Sequence, residues 1–242
     1  MGGRRRIAVY GGTFDPVHEG HLAVARRLAE LFALDEVLFV PAYVAPHKRH
    51  VTVSPALDRY AMLALATQDE PRFHVSKVEL DAPQRPYTVE TLAHFKEAAG
   101  PASRLFFVMG ADSWAEIKTW REWERLLSMA EHVVVTRPGY EISDAHVTEE
   151  IRARVVDLRG LEAPEVARAL EGDAARPRIY LSDAARVRLS ATEIRRAVAG
   201  DGGGAAALDA LVPPAVAGYI KKYGLYRNTH ERELTDTPPA QH

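Results

Sequence analysis

The 242-residue sequence contains no cysteine. That excludes a disulfide framework, a thiolate nucleophile and any cysteine-ligated zinc or iron–sulfur centre, and it agrees with a reducing compartment. Net charge is nearly absent too: 31 Lys and Arg stand against 33 Asp and Glu, a formal charge of -2, with a pI of about 6.6. Such a balance gives no general attraction for nucleic acid or an anionic membrane, so any anion site has to be built locally. Long apolar runs are also missing. No window approaches the ~18 apolar residues of a membrane span. The apolar stretch after the basic MGGRRR start stops at Gly11-Gly12, short of the ~7–15 residues of a signal-peptide core. A soluble, cytoplasmic chain is expected, with no export signal and no nucleic-acid or membrane partner.

What the sequence does contain is an ordinary globular balance, 47% hydrophobic and 26% charged, enough to bury a substantial core. Short β-branched and aromatic runs recur at 7–10, 36–41, 73–80, 104–110, 132–138 and 178–181. Several are almost continuously apolar, as strands buried on both faces are. Between them the spacing turns helical: Leu22, Ala25, Leu28, Ala29 and Phe32 form one stripe of 21–33, with Arg26, Arg27 and Glu30 opposite. Further helices are expected after Ser54 and Pro55, and at 88–99, 122–130 and 213–223. Strand alternating with helix predicts an α/β fold, a doubly wound Rossmann-like parallel sheet, here with a C-terminal helical segment. Residues 1–227 are expected to form a single domain. Within it, 141–176 is an elaborated connection with one strand candidate at 155–158, and Gly202 to Gly204 is a loop. The polar tail 228–242 is expected to be disordered.

Ligands of such sheets bind where the strands end, and these ends carry unusual residues: GGTFDP, PAYVAPHK, MGADSW and TRPGY. The first opens the segment YGGTFDPVHEGHL at 10–22. Its glycines permit close approach of main chain to a ligand, and small Thr13 leaves amides accessible. A helix beginning near residue 17 or 18 aims its free amides and positive dipole end at the crevice. His18 and His21, three apart, share one face of its first turn. Taken alone, the pair reads more readily as two surface histidines on a tight turn. A zinc-binding helix needs them four apart, so HEGH is one short, and neither the NTPase phosphate loop nor G-x-G-x-x-G is present. Near the other end, SATEIR at 190–195 offers Ser190 or Thr192 as a helix cap, with Glu193 reaching back. A solvated helix and a phosphate clamp using Ser190 and Arg195 are both open readings of that segment.

Together GGTFDPVHEGH and SATEIR closely resemble the nucleotidylyltransferases that carry T/S-x-F-D-P-x-H-x-G-H near the N-terminus and S-x-T-x-I-R near the C-terminus. APHK at 45–48, RPYTVETL at 85–92, GADSWAEIKTW at 110–120, VTRPGY at 135–140 and GLYR at 224–227 are similar to bacterial nicotinate-nucleotide adenylyltransferases. The resemblance spans 7–227 and implies the nucleotidylyltransferase fold. It implies an enzyme of NAD biosynthesis that joins ATP to nicotinate mononucleotide, releasing pyrophosphate and forming nicotinate adenine dinucleotide. The mononucleotide phosphate would attack the α-phosphorus in line, with no covalent enzyme intermediate, so catalysis is positioning plus charge stabilisation.

The resemblance also implies roles by position. His21, His18, Arg195 and Lys48 form the catalytic set: His21 on the α-phosphate, His18 on the triphosphate, Lys48 and Arg195 on β- and γ-phosphate charge. ATP is further expected to meet Gly11, Gly12, Thr13, Phe14, Gly110, Asp112, Ser190 and Thr192, with Asp112 accepting from ribose hydroxyls. Nicotinate mononucleotide is expected to meet Gly12, Thr13, Phe14, Lys48, Tyr87, Thr88 and Trp120, with Trp120 stacking on the ring and Thr88 near its carboxylate. Arg121 stands where many relatives carry an aromatic residue, and is expected to attract the anionic substrate. Mg²⁺ is expected to arrive with ATP rather than in a protein metal cage, and Asp15 to organise the turn. Loop 43–53 is expected to act as a lid, and a homo-oligomer is left open. The rival substrates are nicotinamide mononucleotide and phosphopantetheine, and the rival class is a non-catalytic nucleotide sensor.

Overall fold

Strand β1 (Arg5–Gly12) alternates between two cores. Ala8 packs with Phe106 and Val108 in one apolar cluster, whereas Ile7 and Val9 join Leu105, Phe107 and Met109 in the other. Successive side chains of a strand face opposite sides, so a run apolar at every position has to be covered twice. The computed structural model describes residues 4–43, 53–136, 142–171, 176–185, 189–199 and 204–227. After β1 come β2 (Glu36–Pro41), β3 (Phe73–Val75), β4 (Ser103–Gly110), β5 (Glu131–Val135), β6 (Val155–Asp157) and β7 (Ile179–Ser182). They form one sheet in the order β3-β2-β1-β4-β5-β7-β6, parallel at every pairing.

The helices are α1 (Glu19–Leu31), α2 (Ala56–Thr67), α3 (Thr88–Ala99), α4 (Ala111–Ala115), α5 (Trp123–Met129), α6 (Glu149–Arg152), α7 (Ala163–Ala169), α8 (Ala191–Ala199), α9 (Gly204–Leu211) and α10 (Pro214–Tyr223). A 3-10 turn occupies Ile117–Thr119. Leu22 and Leu28 of α1, Met62 of α2, Ile194 of α8 and Ile220 of α10 cover one face. Leu92 of α3, Trp114 of α4 and Leu127 of α5 cover the other. The strand order reverses between β1 and β4, which splays their carboxyl ends and opens a crevice there. Among the described residues no helix is long and apolar enough to cross a membrane.

The expected doubly wound parallel sheet is present, with two local differences. The run 73–80 is a strand only to Val75, because the Leu80 and Asp81 amides both turn back to the Lys77 carbonyl at 2.8 Å. The AAALDAL run after the glycines forms α9, which begins at Gly204 itself, where a loop was expected. The expected strand candidate at 155–158 is Val155–Asp157 and pairs with β7 as the sheet edge. The tail 228–242 lies outside the described residues.

Candidate functional site at the carboxyl ends of β1, β2 and β4

The turn after β1 is packed tightly enough to require its glycine. The Gly12 carbonyl accepts from the Ala42 amide at 2.8 Å, and a Cβ on Gly12 would lie 2.8 Å from the Phe14 ring. Phe14 has a left-handed backbone, φ 50°, which sends its ring inward against Tyr10 and Phe39. Phe14 is only 2% exposed, so it offers the site its main chain rather than its ring.

His18 caps α1, with extended backbone at φ -146°. Its amide donates to His21 Nδ1 at 3.3 Å, and the two rings stack with centroids 3.7 Å apart. His21 also meets the Phe14 ring edge-on at 5.0 Å. Gly20 lets this turn approach the chain leading into α8: a Cβ there would lie 3.0 Å from the His18 ring and 3.3 Å from Leu189. Ser190 immediately precedes α8. Arg195 reaches back from α8, its Nη1 donating to the Asp15 carbonyl at 2.6 Å and its Nη2 to Thr192 Oγ1 at 3.2 Å. The two sequence motifs, 180 residues apart, therefore meet through Asp15 and Arg195.

Beside this turn lies a cleft of about 620 Å³, lined among others by Gly11, Gly12, Thr13, Tyr87, Thr88, Gly110 and Trp120. Phe107 supports Trp120 edge to face at 6.4 Å, giving the cleft a flat aromatic wall. The Arg121 guanidinium lies 4.6 Å from the Tyr87 ring centroid, a cation–π pair at the cleft edge. Thr88 opens α3, so that helix begins at the cleft wall. His18, His21, Ser190, Thr192 and Arg195 are not among the residues lining this cleft; His21 lies against Phe14 and Arg195 against the Asp15 carbonyl, at the end of the GGTFD turn. Asp112 is exposed on α4 and does not line it either. Lys48 and most of the loop expected as a lid lie outside the described residues.

Sequence reasoning missed a buried arginine and a half-buried carboxylate that hold these parts. Arg59 of α2 is 1% exposed and donates to four main-chain carbonyls: Thr13 at 2.9 Å, Ala42 at 2.7 Å, Ser54 at 3.1 Å and Tyr43 at 3.2 Å. Burial lowers its pKa, opposed by the nearby charges of Asp15 and Glu79. Glu79 accepts from Thr91 Oγ1 at 2.9 Å and the Tyr43 amide at 3.2 Å. Burial pushes the Glu79 carboxyl up, while those hydrogen bonds and Arg85 pull it back. The signal for Arg59 was present, because Arg59, Met62 and Leu63 sit at i, i+3 and i+4 on the buried face of α2. Asp15, expected to organise the turn, accepts from the Ser54 amide at 3.1 Å and from the Tyr226 hydroxyl at 2.6 Å. Burial, then the Asp15 charge, raises the Tyr226 pKa. Among the described residues no three His, Asp or Glu side chains converge as a metal-holding group.

Comparisons with known proteins agree with this geometry. The cytidylyltransferase-like family model matches residues 9–197. A protein of Corynebacterium jeikeium (strain K411), named a probable nicotinate-nucleotide adenylyltransferase, is 40% identical over 217 residues, covering 89% of this chain and 98% of the relative. One of the same name from Solibacter usitatus (strain Ellin6076) is 37% identical, covering 91% and 99%. The Plasmodium falciparum nicotinic acid mononucleotide adenylyltransferase, solved with APC and with NaAD, shares the fold at a TM-score of 0.66 in each case, with 18% and 19% identity over 92% of this chain and 97% of that one. With full-length relatives at this identity and a family model over most of its length, the chain belongs to the nicotinate-nucleotide adenylyltransferases of the cytidylyltransferase-like family.

Proposed function

We propose that the chain transfers the adenylyl group of MgATP to nicotinate mononucleotide, forming nicotinate adenine dinucleotide and pyrophosphate in NAD biosynthesis. The observation that carries this reading is the GGTFD turn. It borders an aromatic-walled cleft and leads into a helix start with two stacked histidines, with Arg195 on its Asp15 carbonyl. The full-length relatives named for this activity support it, as does a similarly folded enzyme solved with NaAD.

The mononucleotide lies in the cleft, its pyridine ring on Trp120 beside Tyr87, its carboxylate at Thr88 and the first-turn amides of α3. Fixed donors accept a carboxylate, whereas an amide NH₂ would face them donor to donor, so the acid is preferred. The triphosphate lies across α1 and α8, where His18, Ser190, Thr192 and Arg195 contact it and Gly110 and Asp112 approach the nucleoside. A phosphate oxygen of the mononucleotide bonds to the α-phosphorus, and the bond from that phosphorus to the oxygen bridging to the β-phosphorus breaks, releasing pyrophosphate. Main chain at Gly12, Thr13 and Phe14 holds the two phosphates in line. His21 Nδ1 accepts the His18 amide, so the neutral ring carries its proton on Nε2, the atom that donates to the α-phosphate as charge grows there. Arg195 adds charge at the leaving pyrophosphate.

The test is the purified chain with ATP, Mg²⁺ and nicotinate mononucleotide, following pyrophosphate and the dinucleotide by chromatography. Stoichiometric formation of both is expected, abolished by EDTA and restored by Mg²⁺. No pyrophosphate above the control without mononucleotide would refute the reading.

A further inference from the structure

We propose that Arg59 is a positioning residue for the mononucleotide phosphate, the centre of a buried latch it forms with Asp15 and Glu79. The inference rests on the function proposed above and assigns a role to a side chain that reaches neither substrate.

The argument begins with where the main-chain groups go. Tyr43 and Ser54 stand at the two ends of the segment joining β2 to α2, and each has both its carbonyl and its amide held by a charged side chain. Arg59 takes both carbonyls, at 3.2 Å and 3.1 Å. Glu79 takes the Tyr43 amide at 3.2 Å and Asp15 the Ser54 amide at 3.1 Å. Two further Arg59 bonds, to the Thr13 and Ala42 carbonyls, join this stem to the turn after β1. Four of the five guanidinium N–H groups are thereby used, in a planar fork no lysine reproduces.

The Thr13 bond has a direct consequence for phosphate. The peptide unit is planar and trans, so a carbonyl turned inward to Arg59 turns the Phe14 amide the opposite way. Thr13, Ala42 and Tyr43 all line the cleft, whereas the histidines and Arg195 do not. Loss of the guanidinium releases the Thr13 carbonyl to rotate, replacing a donor with an oxygen facing the phosphate anion. It also leaves two carboxylates without their buried counter-charge. The defect falls on the mononucleotide side of the reaction.

The experiment compares wild type, Arg59→Lys and Arg59→Met at a temperature well below each melting point, measuring kcat and both KM values. The expected result is a mononucleotide KM raised at least about tenfold, as for loss of a charge-assisted contact, with the ATP KM within about threefold. A residue that only maintains the fold would lower the active fraction, reducing kcat with both KM values unchanged. That pattern, or wild-type kinetics in a folded variant, overturns the proposal. Should neither Arg59 variant fold, Glu79→Gln carries the test: a selective rise in mononucleotide KM supports the latch, and unchanged KM values overturn it. Inactive wild-type protein would instead refute the function proposed above, which separates the two failures.

Discussion

His132 gives the most quantitative test of the core beneath the cleft. It lies on β5, fully buried, with its ring 5.8 Å from Phe107, the residue that supports Trp120. Neither ring nitrogen makes a hydrogen bond of ordinary length and angle among the described residues. Burial lowers its pKa from 6.5 to about 3, opposed by the Ala130 backbone and reinforced by Arg154. The folded value is depressed, so the contribution is complete above the unfolded pKa of about 6.5 and is lost as pH falls towards 3. Below pH 6.5 the unfolded chain takes up a proton that the folded chain refuses. Between pH 7 and pH 5 this costs about 1.5 pH units at 1.36 kcal/mol each, or about 2 kcal/mol. For a chain of this size that corresponds to a Tm fall of about 4–8 °C. The assay is thermal unfolding by circular dichroism at half-unit pH steps, comparing wild type with His132→Leu, which cannot titrate. Carboxylates contribute equally to both proteins, so the difference between the curves isolates His132. Parallel curves from pH 7 to 5 would refute the reasoning.

Three further outcomes follow from the site. His21→Ala should lower kcat by about 10²–10³ while changing mononucleotide KM little, because its contact strengthens as charge develops; near-wild-type turnover in steady-state assays would remove that role. Trp120→Ala should raise mononucleotide KM about tenfold, the scale of one aromatic stacking contact; unchanged affinity would place the ring elsewhere. Tyr226→Phe leaves Asp15 without a donor now 2.6 Å away, at a cost of about 1.5–3 kcal/mol for a bond to a charged group. A Tm lower by about 3–10 °C should be seen by calorimetry.

The parallel sheet was legible because its strands are apolar at consecutive positions. Ile7, Ala8 and Val9 cannot all be buried against one layer. The turn after β1 was legible because Gly11 and Gly12 stand where a strand gives way to a helix. The cleft wall was less so. Trp120 and Thr88 were found through the company they keep in KTW and PYTVETL, since a single tryptophan reads as core. The place of Arg59 on the buried face of α2 was legible, but its role was not, because its partners are main-chain carbonyls of four residues spread over 13–54, which leave no trace in side-chain patterns. Glu79 was hidden inside a run that looks like strand, and α9 was obscured by the glycines before it. Arg195 was legible as a charged residue of SATEIR, but its bond to the Asp15 carbonyl was not. Only the folded chain brings residues 15 and 195 together.

The central claim is that the cleft beside the GGTFD turn selects the nicotinate acid. A competition measures it most directly: the chain with MgATP as limiting substrate and equal concentrations of nicotinate mononucleotide, nicotinamide mononucleotide and phosphopantetheine, with products resolved by chromatography. Nicotinate adenine dinucleotide should be the dominant product. Dominance of NAD or of dephospho-coenzyme A would contradict the account.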